Sequence, residues 1–254
     1  MNRLDTVFKE AKHKLLNVYC TAGYPNPNDT VPVMEAMQEN GVDIIELGMP
    51  YSDPLADGPV IQQSSQVALA NGMTIDRLFG QLQNFREKIR VPVILMGYMN
   101  PVLQYGFERF CKTAAAVGVD GLILPDLPQY EFEKEYGAII KKYNLSFIFL
   151  VTPETSIDRI KKLDSLSTGF LYAVSSSSTT GSDSSFNPAE YLQSLQSLQL
   201  KNPVMVGFGI KDRASFEAVT KFADGAIIGT AFIKALENSD DIQTSTKTFL
   251  SAIR

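Results

Sequence analysis

A chain of 254 residues with 44% hydrophobic content can bury a full core, and that length suits one large barrel as well as two ordinary domains. A formal net charge of -5, without a long basic run, offers nothing to a phosphate backbone and excludes a nucleic-acid role. No apolar run reaches the roughly 18–20 residues that a membrane-spanning helix needs. The N-terminal MNRLDTVFKEAKHKLL interleaves charge with apolar residues where a secretory signal is continuously apolar, so a cytoplasmic protein with no membrane role is expected.

Residues 4–15 form an amphipathic stretch expected to pack across one end of the fold without a chemical role. From there short apolar runs alternate with longer amphipathic segments, the pattern of repeated strand–helix units around a parallel sheet. The predicted strands are 16–21, 44–48, 93–97, 121–124, 146–150, 170–173, 204–207 and 226–228. Predicted helices lie at 30–39, 74–86, 107–116, 130–143, 157–166, 188–198 and 213–222, and 240–253 closes the chain. Eight units within a single domain spanning 1–254 point to an α/β fold, a closed (β/α)8 TIM barrel with an extra N-terminal helix. A Rossmann sheet would have fewer strands and Gly-x-Gly-x-x-Gly after the first, where this chain reads Ala22-Gly23-Tyr24-Pro25. Cys20 and Cys111 have no metal-binding spacing and read as two buried thiols. Residues 175–185, SSSSTTGSDSS, follow the sixth predicted strand at the end where barrel enzymes carry their site, and read as a mobile lid.

In such a barrel, chemistry projects from the C-terminal ends of the strands. In the second strand, two-residue alternation turns Ile45 and Leu47 toward the helices and Glu46 toward the apolar interior. A carboxylate there is either held structurally by an ion pair or hydrogen bond, or it is catalytic; burial raises its pKa in both cases. The loop that follows, residues 49–59, adds Asp53 and Asp57 among prolines that fix the backbone. One of them is placed to face Glu46 across a substrate, and Asp53 alone suits a turn cap equally well. A second constellation suits an anion: Gly207-Phe208-Gly209-Ile210 and Ile228-Gly229-Thr230-Ala231 end the seventh and eighth strands and are each expected to open directly onto a helix. Glycines there allow close backbone approach, helix-start N–H groups donate, and Gly181 can add a third donor.

The missing groups narrow the reaction. No predicted strand end carries a lysine for a Schiff base, and the one histidine, His13, precedes the first strand, on the side away from the mouth. Zinc-dependent carbon–carbon cleavage would call for histidine ligands. Carboxylates, tyrosines and backbone dipoles remain. If such a barrel breaks a carbon–carbon bond, the substrate must carry its own electron reservoir with a protonatable carbon, as an indole ring does.

The segment Glu46-Leu-Gly-Met-Pro-Tyr-Ser-Asp-Pro-Leu-Ala-Asp-Gly-Pro-Val-Ile-Gln62 closely resembles the signature of the tryptophan synthase α subunit family. The likeness extends to Thr21 and Gly23-Tyr-Pro, Gly97-Tyr-Met-Asn-Pro101, Pro125-Asp-Leu-Pro128, Tyr172, Thr180-Gly181, Gly207-Phe-Gly-Ile210 and Gly229-Thr230. The resemblance implies retro-aldol cleavage of indole-3-glycerol phosphate to indole and glyceraldehyde 3-phosphate, with no cofactor in this chain. It makes Glu46 the acid that protonates the indole carbon and the base that takes the chain hydroxyl proton. Asp57 would hold the indole N–H and the positive charge on the ring. Tyr172 would sit beside Glu46, Tyr19 and Phe208 would sandwich the ring, and Thr180, Gly181, Gly209, Gly229 and Thr230 would complete the substrate contacts, the glycines and Thr230 at the phosphate. The resemblance further implies an αββα complex with a β subunit that carries pyridoxal phosphate, with residues 50–53 and 175–185 as contact and lid. Where the family has Gly-Val before the Thr-Gly of the lid, this chain has Ser178-Thr179, which removes a glycine's freedom from that loop.

Three other readings use the same barrel. A phosphate-binding isomerase or epimerase would share the anion cradle with a different acid–base pair. A silent activating partner would need a damaged site, although both acids are present, and a stand-alone lyase would be fully active without a β subunit.

Overall fold

The computed structural model describes residues 2–174, 188–207, 209–237, 239 and 241–254. Among the described residues nine parallel strands form one sheet: β1 (Leu15–Thr21), β2 (Ile44–Gly48), β3 (Val93–Met96), β4 (Gly121–Ile123), β5 (Ser146–Phe147), β6 (Leu150–Val151), β7 (Leu171–Val174), β8 (Val204–Gly207) and β9 (Gly225–Ile228). The order is β5-β4-β3-β2-β1-β9-β8-β7-β6. The strands are apolar runs with little alternation because helices cover the outer face while the inner face fills a core. All seven positions of β1 are buried.

The predicted fifth strand is present as the two short pieces β5 and β6, and the barrel closes through it. Ser146 and Ile148 donate their N–H groups to Asp120 and Leu122 O on the β4 side, while Phe147 and Phe149 O accept from Thr168 and Tyr172 N on the β7 side. The outward N–H groups of Phe147 and Phe149 find no strand carbonyl and bond instead to Thr168 Oγ1 at 2.9 Å and Ser167 Oγ at 3.1 Å. Side-chain hydroxyls thus replace the backbone ladder on one side of this strand, which is why it breaks in two while still joining its neighbours.

Burial divides into two layers, as alternation requires. Inside the barrel, Leu15, Ile44, Ile94, Ile123, Ile148, Phe170, Met205 and Ile227 pack around Leu4 from the N-terminal helix Arg3–Glu10. That helix plugs the bottom of the barrel. Outside, Ile45, Leu47 and Leu95 pack with Val33, Met37 and Phe110 of the surrounding helices. Ile44 in and Ile45 and Leu47 out puts Glu46 in the interior, in agreement with the alternation of the second strand.

Helices Thr30–Glu39 and Ile157–Leu166 match the sequence periodicity at both ends. The stretch expected as one helix at 74–86 is Ile75–Gln81 followed by a 3-10 turn, because Asn84 takes a left-handed φ of 61°. Helices Pro59–Ala70 and Met99–Tyr105 were hidden by Pro-containing first turns, whereas Thr230–Leu236 starts directly after Gly229 as expected; Gly58-Pro59 is a helix start, with Pro at the first helical position. The eighth β-segment does not open directly onto a helix as expected. Its following helix, Arg213–Thr220, begins only after Asp212, whose side chain accepts from Ser215 N at 2.8 Å. Cys20 and Cys111 are free and buried. No helix among the described residues is long and apolar enough to cross a membrane.

At the bottom of the barrel Asp120, 3% exposed, receives Arg3 Nη1 at 2.9 Å, Arg86 Nη2, and Val93 N at 2.8 Å. Burial brings the Arg86 guanidinium down to about 10, against the opposing pull of Asp120. Asp120→Asn leaves that cation buried without its counter-charge, so the unfolding free energy is expected to fall by about 3 kcal/mol, read as a lower denaturant midpoint at unchanged m-value. A loss of less than about 1 kcal/mol would instead make this a weak surface-type pair.

Candidate active site

The interior side of β1 reads Leu15, Asn17, Tyr19, Thr21, and its parallel register sets Tyr19 beside Glu46 of β2. Glu46 is 1% exposed. Asn17 Nδ2 donates to its Oε2 at 3.0 Å. Burial pushes the Glu46 carboxyl up to about 8; the Asn17 hydrogen bond opposes the rise and the charge of Asp57 adds to it. The acid is therefore mainly protonated at neutral pH.

Asp57 arrives on the loop after β2, one residue before Gly58, the cap of the helix Pro59–Ala70. Its backbone is held at both ends, N–H to Pro54 O at 3.1 Å and O from Gln62 Nε2 at 2.8 Å. Burial raises the Asp57 carboxyl to about 6, and a hydrogen bond from the Tyr98 hydroxyl works against that rise. It stays mainly ionised at neutral pH. The same Tyr98 hydroxyl accepts Ala56 N at 3.0 Å, so one phenol anchors the loop and its carboxylate together. Tyr98 is fixed in turn: Met99 N donates to both carboxylate oxygens of Asp126 at 3.0 Å, and Asn100 Nδ2 reaches Tyr51 Oη at 3.0 Å. The connections after β2, β3 and β4 are thereby locked to one another.

Two tyrosines fill the upper interior. Burial pushes the phenols of Tyr19 and Tyr172 well above their ordinary range, and the charges of Asp57 and Glu46 act on both in the same direction. Each ring needs a glycine opposite it. A Cβ on Gly48 would lie 2.0 Å from Tyr19 Oη, and one on Gly207 would lie 2.8 Å from Tyr172 Oη. Neither contact is possible, so Gly48 and Gly207 set where the rings lie.

Of the expected anion-binding residues, Gly209 is exposed with a left-handed φ of 56°. Gly229 caps the helix Thr230–Leu236, on which Thr230 is exposed. The Asp212 carboxylate already occupies the start of the helix after β8, which leaves the Gly209 turn and the Gly229–Thr230 helix start as the positions where N–H groups can meet an anion. Thr180, Gly181, Phe208 and the expected lid at 175–185 lie outside the described residues. Asp53 is exposed. His13 is exposed and pairs with Asp43 at 2.9 Å, before β1 and away from these groups. Among the described residues no group of His, Cys, Asp and Glu side chains could hold a metal ion.

The structure thus brings Glu46, Asp57, Tyr19 and Tyr172 within electrostatic reach of one another at the C-terminal end of the barrel. Asn17 and Tyr98 escaped the sequence reading. The alternation that singled out Glu46 also points Asn17 inward, and Tyr98 stands in the Gly97–Pro101 motif, but nothing in the linear order tells which carboxylate each will touch.

The tryptophan synthase alpha chain family model matches residues 6–253. The Flavobacterium johnsoniae tryptophan synthase alpha chain is 55% identical over 241 residues, covering 94% of this chain and 95% of the relative. That of Parabacteroides distasonis is 44% identical over 256 residues and the full length of both. Among solved structures, tryptophan synthase subunit alpha from Legionella pneumophila superposes with a TM-score of 0.90 at 36% identity, covering 100% of this chain and 97% of that one. The aminoacrylate-bound tryptophan synthase from M. tuberculosis gives 0.86 at 32% identity, with 100% of both chains covered. A barrel that agrees with these structures throughout, and a sequence that agrees with these relatives from end to end, place the chain in the tryptophan synthase alpha chain family, the indole-3-glycerol-phosphate lyases.

Proposed function

We propose that this chain, folded as one domain over residues 1–254 in the cytoplasm, cleaves indole-3-glycerol phosphate with Glu46 and Asp57 as its working pair. The observation that carries the reading is that two neighbouring carboxyl groups are held at different protonation states, near 8 and near 6. Glu46, mainly protonated, gives its proton to the ring carbon that bears the glycerol phosphate chain. The ring becomes an iminium, and Asp57, mainly ionised, accepts the indole N–H and faces the charge. Glu46, now a carboxylate, takes the proton of the chain hydroxyl. The carbon–carbon bond breaks, its electron pair returns to the ring to form indole, and the hydroxyl carbon becomes the aldehyde of glyceraldehyde 3-phosphate. Every proton and electron pair comes from acid, base or substrate, so the reaction calls for no cofactor in this chain.

Tyr19 and Phe208 flank the ring and Tyr172 closes the pocket beside Glu46 in this reading, with Thr180 in the loop that covers the substrate. The phosphate lies against Gly181, Gly209, Gly229 and Thr230. We further propose that the chain works in an αββα complex with a β subunit whose pyridoxal phosphate consumes the indole. Among the described residues the exposed large hydrophobics include Leu55 at 91%, Leu103 at 47% and Tyr130 at 67%. They lie on the connections after β2, β3 and β4, which are adjacent in the sheet, and Leu55 is two residues from Asp57. That apolar face beside the site suits a partner that receives the product.

Indole release from indole-3-glycerol phosphate by the purified chain, alone and with its cognate β subunit, tests the reading. Slow release accelerated by the β subunit is expected, with Glu46→Gln reducing turnover by about 10³-fold or more and Asp57→Asn by about 10²-fold. Release that survives Glu46→Gln would remove Glu46 from its role, and a rate indifferent to the β subunit would mark a stand-alone lyase.

The raised carboxyl also has a stability signature. An unfolded glutamate titrates near 4.5 whereas Glu46 in the folded chain titrates near 8. Between these pH values the folded state holds a proton that the unfolded state has released, and stability falls as pH rises through that window. Glu46→Gln removes this loss. Its Tm is expected to exceed that of the parent by a margin that opens from pH 4.5 to about 8 and then levels; a margin independent of pH would show that Glu46 titrates normally.

A further inference from the structure

Asn17 is fully buried, at 0% exposure, in a part of the barrel where a polar group is costly. Its partners across the two ladders are Ile44 of β2 and Ile227 of β9, and an aliphatic residue would pack in their layer without penalty. Its amide is only half used. Nδ2 donates to Glu46 Oε2 at 3.0 Å, while Oδ1, also buried, has no hydrogen-bond partner among the described residues. A buried acceptor left open is rare enough to need a reason.

The other titratable groups coupled to the charge of Glu46 are Asp57 on the loop after β2, Tyr19 on β1 and Tyr172 on β7, which share the interior with it, and Cys20 on the outward side of β1. Burial pushes the two phenols and the thiol upward, so all three are neutral near pH 7, and Asp57 carries the one negative charge of the set. None of these four bonds to the Glu46 carboxyl, whereas Asn17 does.

We propose that Asn17 is a positioning residue whose Nδ2 holds Glu46 Oε2 in both protonation states, as a carboxylate oxygen when the group is ionised and as the carbonyl oxygen when it is protonated, so that the exchangeable proton sits on Oε1. The inference rests on Glu46 being the group that exchanges protons with the substrate. The N–H bond is stronger to the carboxylate than to the acid's carbonyl oxygen, which is the sense in which Asn17 opposes the upward pull of burial on Glu46. A carboxamide makes this bond without adding a charge, so the carboxyl can still take up its proton. The open Oδ1 is the cost of keeping an amide in the core for that one bond. With Oε2 held in either state, Oε1 is the oxygen left to give the proton to the substrate and to take it back.

Asn17→Leu keeps the γ-branched shape and removes both hydrogen-bonding groups; Asn17→Val, less bulky than Leu and suited to a strand, serves if Leu overpacks the barrel. Two readouts are taken on the αβ complex. One is the pH midpoint of the Glu46 carboxyl stretch in infrared difference spectra, assigned with Glu46→Gln; the other is kcat and KM for indole release against pH. Loss of the bond to the ionised form is expected to raise the midpoint by about one unit. The acidic limb of the kcat profile should follow it, and kcat should fall about tenfold with little change in KM, since Asn17 does not touch the substrate. Tm should hold or rise, because a half-satisfied amide has been removed from the core. A midpoint that stays in place in both variants overturns the inference, as does a shifted midpoint that the kcat profile ignores. Failure of the underlying assignment looks different: turnover would then survive Glu46→Gln.

Discussion

An acid inside a barrel is governed by the absence of water around it, and the rest of this site follows from how completely Glu46 is dried. The closed sheet excludes solvent from the sides, and Leu4 of the N-terminal helix seals the floor beneath Ile44 and Ile94. Without that plug, water reaching the interior from below would restore an ordinary carboxylate. The helix Arg3–Glu10 thus has no chemical group in the site and still sets its acidity. The cluster of Asn2, Arg3 and Arg86 around Asp120 serves the same end, since it pins the helix start to the bottom of β3 and β4.

Above Glu46 the dryness grades into a partly open mouth, and the grading separates the two acids. Asp57 sits where the loop meets solvent and has the Tyr98 hydroxyl as donor, so desolvation moves it less far. The glycines opposite Tyr19 and Tyr172 act on the same gradient. Each lets a large ring occupy space that water would otherwise take, and each does so by giving up a side chain at the end of a strand.

Much of this was visible in the chain itself. Strands buried on both faces leave apolar runs, and eight such runs separated by amphipathic segments specify a closed barrel with few rivals. Glu46 stood out because a charge breaks the run in β2. Asp57 was legible through the dense motif around it, and its role could not be read from its spacing alone. Other features depend on contacts between distant positions. The break between β5 and β6 arises from hydroxyls of Ser167 and Thr168 some twenty residues on, which no local pattern announces. The helix Pro59–Ala70 starts on a proline straight after Asp57-Gly58, which resembles loop continuation. Asn17 reads as an ordinary polar interruption until its neighbour across the ladder is known.

The seam at β5 and β6 divides the sheet into a first arc, β1 to β5, and a second, β6 to β9, that meet through the β1–β9 ladder and through residues 146–151. Asn17, Tyr19, Glu46 and Asp57 all belong to the first arc. Tyr172, Gly209, Gly229 and Thr230 belong to the second. Contacts between arcs are among the most distant in sequence, and loop-closure entropy delays such contacts during folding. A chain with only its first arc assembled would own its two acids and lack the glycines and Thr230 proposed to meet the phosphate, and its Glu46 would still be wet. In that reading the raised pKa of Glu46 and the grip on the phosphate both wait for the final closure of the barrel.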